Sequence, residues 1–212
     1  MTGGLALLER AISYTLGSLV LVTPEAFGRA TPCRGWRLVD LLVHMDDSLA
    51  ALSEAAGLGE IALEPRPVHR GRHRAPEPPA DQLPQGAGEP WDNGWVPDPV
   101  ANIRLRACRL LGEWAYAGEE GTVTVGGCPL TAMTVAAVGA IEIAVHGWDV
   151  ARACGTDRPL PEGLAGELLD LAPVLIDDED RPLRFGAKVE VSVGAGKSEE
   201  LLAYLGRRSR LP

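Results

Sequence analysis

Leu5, Leu8, Ile12, Leu16, Leu19 and Val20 recur at intervals of three and four, the period of a helix with one buried face. They predict a first amphipathic helix over residues 2–22, ended by Thr23-Pro24. A second helix is predicted over about 38–56, where Leu38, Leu41, Leu42, Met45, Leu49 and Leu52 share a face and Gly57 supplies a stop. Asp98-Pro99 is a good cap and first position for a third helix. Its buried face is Val100, Ile103, Ala107, Leu110, Leu111 and Trp114, with Arg104, Arg106 and Arg109 on a solvated side. The alternating GTVTVGG, residues 121–127, predicts a short strand, after which Pro129 introduces a fourth, central helix from about Leu130 to Cys154, closed by Gly155. Leu164, Leu168, Leu171 and Leu175 mark a fifth helix over 162–176, and the acidic run Asp177–Asp180 reads as its solvated end. Phe185, Ala187, Val189, Val191 and Val193 alternate with mostly polar neighbours and predict a strand that pairs with 122–125 as a small sheet. A last short helix begins at Ser198 and ends near Gly206.

Between the second and third helices, residues 65–99 hold nine of the seventeen prolines, which excludes a helix or a central strand there. This long loop is a lid, a binding loop or a simple connection. His69 and His73 are four apart within it, but with no helix to hold that spacing the pair is weak evidence for a metal. Trp91 and Trp95 anchor the loop to the helices or pack it over a pocket. The whole pattern is mainly α: a four-helix bundle over residues 1–155 with a proline-rich crossover at 57–99, then a small α+β extension over 156–212.

The fourth helix interrupts its own apolar pattern. The 21 residues from Gly121 to Ile141 contain no Asp, Glu, Lys or Arg, and then Glu142 and His146 follow four apart, on one helical face. A carboxylate on such a helix needs a partner, because an unpaired buried charge is costly. A metal ion, a histidine or an arginine each answers that need. If the second and fourth helices face each other, His44 comes opposite Glu142 and His146. Two imidazoles and a carboxylate suit a catalytic divalent ion, with coordination positions left open. Read alone, His44 is a half-buried histidine bonded to an acid or to backbone. Trp36 and Trp148 pack the bundle end or line a pocket. Asp149 either orients the His146 ring or pairs with Arg152.

Composition narrows the classes. The net charge of -9 argues against a nucleic-acid binder, which needs a basic face to neutralise phosphates. Cys33, Cys108, Cys128 and Cys154 form no CxxC pair and read as reduced, mostly buried thiols. The N-terminus lacks the basic region of a signal peptide, and 121–141 is broken by Gly126, Gly127 and Pro129. No membrane partner and a cytoplasmic location are the expectations, with a small-molecule substrate and room for a homodimer.

The stretches TPCRGWRLVDLLVH, residues 31–44, and EIAVHGWDVARACG, residues 142–155, resemble the paired signature of the mycothiol-dependent maleylpyruvate isomerase N-terminal domain family, within the wider DinB-like bundles. RFGAKVEV and LLAYLGR, within residues 184–207, resemble a C-terminal pattern of actinobacterial members. The resemblance implies that His44, Glu142 and His146 hold a divalent metal, zinc in the first instance, beside a site for a low-molecular-weight thiol, mycothiol. A metal-bound thiol is deprotonated at neutral pH. It then adds to an activated double bond, allows rotation and leaves, or it displaces a leaving group. The implied activity is therefore isomerisation or thiol transfer on a small electrophile. The chain differs from the isomerase in its proline-rich loop and in lacking a full second domain after the bundle, so the substrate does not carry over. A non-catalytic binding protein and a metal-dependent hydrolase, with water as nucleophile, are the competing expectations.

Overall fold

The structure, a computed structural model, describes residues 3–62, 98–118, 120–176, 178–181 and 185–208. The pairs His69/His73 and Trp91/Trp95 lie outside the described residues. Four long helices form the bundle: α1 (Gly4–Leu19), α2 (Leu38–Leu58), α3 (Pro99–Ala117) and α4 (Ala132–Ala153). Each is amphipathic except α4, which is buried on nearly every side and packs against α1 and α2. By length and composition α4 could cross a membrane, but 78% of its most apolar window is buried inside the protein, so its apolar surface is spent on the core.

Contacts along the helices give their directions. Thr15 bonds the Ile143 carbonyl and Gly4 meets Ala136, so α1 and α4 run parallel. Asp46 meets Arg106 and the Leu52 carbonyl accepts from Trp114, so α2 and α3 run parallel too. His44 lies against Glu142 and Leu52 against Gly139, which makes α2 antiparallel to α4. Two parallel helices adjacent in sequence need a long connection, and residues 59–98 supply that length between α2 and α3.

Helix ends follow local chemistry. The Arg37 amide donates to the Asp40 carboxylate at 2.9 Å at the start of α2. Asp98 accepts from the Val100 amide at 2.9 Å, and Thr131 from the Thr134 amide at 3.1 Å. The stop of α2 is Gly59, at φ +66, and not the expected Gly57, which stays helical. Gly155 closes α4 at φ +79 as expected.

The sheet differs from expectation. β1 (Glu60–Ile61) pairs parallel with β2 (Thr122–Val125), which pairs antiparallel with β3 (Cys128–Thr131). Gly126 and Gly127, both at positive φ, make the two-residue hairpin turn. Leu130 and Thr131, expected at the start of α4, instead close β3, and the helix starts at Ala132. The predicted strand at 185–193 is not a strand and does not meet β2. A hairpin between adjacent segments closes a far shorter loop than a pairing some sixty residues away. Residues 185–193 lie against the last helix instead, with the Val189 amide donating to the Ala203 carbonyl and Val193 fully exposed.

Beyond the bundle lie α5 (Glu162–Leu175) and α6 (Lys197–Tyr204). Leu160, Leu164, Leu168, Leu201 and Leu205 join the same core as the bundle. Arg158 ties this region to α1, donating to the Tyr14 carbonyl at 2.7 Å and the Ser18 hydroxyl at 2.8 Å. Asp178, in the acidic run expected to be solvated, is exposed as expected and pairs on the surface with Lys188 at 2.8 Å and Arg181 at 3.2 Å. Arg106, expected in solvent, is held by Asp46 at 2.8 Å.

Candidate metal centre

The site forms near the bundle end where α2 begins and α4 finishes. His44, six residues into α2, faces α4 across the core. Its Nε2 lies 2.6 Å from Glu142 Oε1, and His146 Nε2 lies 3.2 Å from the same oxygen. One ligand atom from each of the three residues falls within 4.8 Å of the others. The His44 and Glu142 side chains are 35% and 31% exposed, so the cluster is reachable from solvent, while His146 is buried.

The fully buried Asp149, one turn along α4, fixes the His146 ring. Its Oδ2 accepts from His146 Nδ1 at 3.0 Å, which leaves Nε2 turned toward Glu142 and His44. Arg152, the alternative partner, pairs with Asp157 at 3.5 Å instead and lies over the Trp148 ring. The cation that balances Asp149 is Arg207, at 3.0 Å.

Residues 31–36 shape the mouth. The Thr31 hydroxyl accepts from the Cys33 amide, the Thr31 amide donates to the Trp36 carbonyl, and Gly35 takes φ +80 to close the turn. This turn carries Trp36 onto the histidines: its ring lies edge-on to His44 at 4.9 Å and stacks on His146 at 6.5 Å. Trp36 therefore walls the site, whereas Trp148 is a core residue, 2% exposed. The same turn brings Cys33 Sγ to 3.3 Å from Asp149 Oδ2 and 3.8 Å from the Arg207 guanidinium. Of the other cysteines, Cys108 and Cys128 are exposed, against expectation, and all four are free thiols.

Electrostatics follow from this geometry. Burial opposes the charge on Glu142, but His146 and His44 outweigh it and hold its carboxyl well below the usual carboxylate range. Burial likewise opposes a charged His146, and the carboxylates of Glu142 and Asp149 still push its pKa well up. Asp149 is held low against burial by Arg207 and His146. The cluster is thus a charged, mutually bonded set.

Its donors fit a divalent cation. Two imidazole nitrogens and an ionised carboxylate converge, one ring is oriented by a second carboxylate, and solvent reaches the cluster. Cys33, His146 and Asp149 also place donor atoms within 4.8 Å of one another. That second group does not suit a cation, because the Arg207 guanidinium already occupies the charge of Asp149.

Cys33 and Arg207 had no assigned role from the sequence. Arg207 had a signal: Asp149 sits on an otherwise apolar turn and requires a cation. Nothing local distinguished Arg207 from the other arginines as the one that provides it.

Known proteins place this arrangement. A crystal structure of the mycothiol-dependent maleylpyruvate isomerase superposes with a TM-score of 0.53 at 19% identity, covering 80% of this chain and 70% of that one. This likeness shows the fold, a DinB-like bundle. No curated protein matches the chain significantly. The profile of the mycothiol maleylpyruvate isomerase N-terminal domain matches residues 8–151, which span α1 to α4 and both halves of the candidate centre. Over that stretch, and with most of its length matched, the chain belongs to the mycothiol maleylpyruvate isomerase N-terminal domain family.

Proposed function

We propose that this protein is a divalent-metal-dependent enzyme that uses a low-molecular-weight thiol, mycothiol, for S-transfer or isomerisation of a small electrophile. The observation that carries the reading is the convergence of His44, Glu142 and His146 on one solvent-reachable point. These three side chains hold the ion, with zinc the best match to two imidazoles and one carboxylate. Glu142 contributes the negative charge, and Asp149 keeps the His146 ring turned so that Nε2 faces the ion. Trp36 shields one side of the histidines from water. An ion bound there supplies Lewis acidity, which keeps a thiol deprotonated at neutral pH. Family membership supports the choice of mycothiol as that thiol.

Calorimetric titration of the zinc-loaded protein with mycothiol tests the thiol. A saturable heat, absent in His44→Ala, is expected; no heat together with no thermal shift contradicts the proposal. Turnover of ester or amide panels without any thiol would favour hydrolysis. Saturable ligand binding with no turnover on electrophile panels would favour a binding protein.

A further inference from the structure

We propose that Arg207, delivered by the C-terminal segment, is a positioning residue of the candidate centre: it locks the Asp149 carboxylate in the plane from which that carboxylate aims the His146 ring. The inference rests on the metal-dependent reading above and deepens it, because it adds to the site a part that the four-helix bundle does not contain. The end of α6 builds this contact from local chemistry. The Gly206 amide donates to the Ala203 carbonyl at 3.0 Å and the Arg207 amide to the Leu202 carbonyl at 2.8 Å, with Gly206 at φ +79. These are the paired bonds of a Schellman turn, which fixes where the next side chain starts. Glycine is needed at 206 for a second reason: a Cβ there would lie 2.6 Å from the Gly186 backbone.

From that start the Arg207 side chain reaches the end of α4, where it is 11% exposed. Its Nη1 donates to the Leu205 carbonyl at 3.0 Å, which anchors the guanidinium. Its Nη2 donates to Asp149 Oδ2 at 3.0 Å and its Nε to Oδ1 at 3.5 Å. His146 Nδ1, at 3.0 Å, and the Cys33 thiol, at 3.3 Å, both meet Oδ2. The last torsion of an aspartate is soft, and contacts to one oxygen leave the carboxylate free to swing about it. Of these contacts only the guanidinium spans both oxygens, and its planar fork fixes that torsion. A carboxylate that swings takes Oδ2 away from Nδ1, and the ring is then free to turn Nε2 away from Glu142 and His44. Arg207 therefore acts on the centre through Asp149 and His146, without touching the ion.

Two readouts on the folded, full-length protein test this: zinc affinity by competition with a chromophoric chelator, and the His146 ring of the metal-free protein by proton–nitrogen NMR. Arg207→Met is expected to weaken zinc binding about tenfold, the scale of losing an orienting partner, and to abolish the slowly exchanging Nδ1 proton of His146. Leu168→Ala removes a fully buried side chain of α5, away from the centre, and so destabilises the fold without touching the site. It is expected to keep both the zinc affinity and the Nδ1 proton. Asp149→Asn should weaken zinc binding too, and adding Arg207→Met to it should cost less than about twofold more, because the two residues act in series. Arg207→Lys keeps a cation but loses the fork; a smaller loss, about threefold, is expected, and this variant decides the matter if Arg207→Met does not fold. Unchanged zinc affinity or an unmoved Nδ1 proton in the Arg207 variants would overturn the proposal. So would an equal loss in Leu168→Ala, or full additivity with Asp149→Asn. Wild type that binds no zinc would instead contradict the function proposed above, and the Nδ1 proton, read without metal, would still decide the role of Arg207.

Discussion

Asp149 has no exposed surface, and two cationic groups from distant parts of the chain converge on it: His146 from its own helix and Arg207 from beyond α6. Removing one partner of such a buried set leaves the other charge without compensation. Arg207→Ala is therefore expected to cost about 3–5 kcal/mol of unfolding free energy, measured by urea denaturation; a loss within experimental error would show that the pair is not buried in solution. Tyr14 gives a pH test. Burial outweighs the lowering influence of Arg158 and pushes its hydroxyl up to about 12, from an ordinary value of 10.0. The folded state keeps the proton after the unfolded chain has lost it, so the Tyr14 contribution is complete below pH 10 and disappears as pH rises toward 12. The stability gap between wild type and Tyr14→Phe should narrow by about 3 kcal/mol across that window in alkaline urea titrations; a constant gap would contradict the assignment.

Helix α4 is placed by its small residues. A Cβ on Gly147 would lie 3.0 Å from Thr15 Cα, and the Thr15 hydroxyl is already bonded to Ile143. Gly147→Ala must push α1 from α4, at an expected cost of about 1–3 kcal/mol. Since Gly147 follows His146 directly, the same variant should weaken zinc binding, read by competition with a chromophoric chelator; unchanged stability and affinity would mean that the helices do not pack this closely. The amphipathic helices were legible because each has a buried face with a period near 3.6, α4 because it is an apolar run, and Asp98-Pro99 and Gly155 mark real boundaries. The strands were less legible. Residues 185–193 alternate as a strand should, yet alternation describes one chain and says nothing about which partner edge is free. The hairpin through Gly126-Gly127 takes β2 first, and Pro129, read as a helix start, sits within β3. The boundary of α2 slipped by two residues because Gly57 and Gly59 offer the same local freedom, and only Gly59 takes the left-handed conformation.

Across the whole molecule, two signature stretches separated by about a hundred residues meet because α2 runs antiparallel to α4. His44, Glu142 and His146 could be named from sequence since a helix fixes the i, i+4 pair, and bundle topology brings the third residue opposite. Arg207 and the position of Cys33 depend on how the C-terminal segment and the 31–36 turn fold back over the bundle end, which no local pattern encodes. The proposed chemistry depends on the three side chains binding one divalent ion. Zinc titration of the metal-free protein, with bound metal measured after gel filtration, tests it most directly. One zinc per chain is expected for wild type, with a loss of at least tenfold in affinity for each of His44→Ala, Glu142→Gln and His146→Ala, roughly the effect of removing a ligand or its orienting partner. Wild type that retains no zinc, or variants that retain it as tightly as wild type, would contradict it.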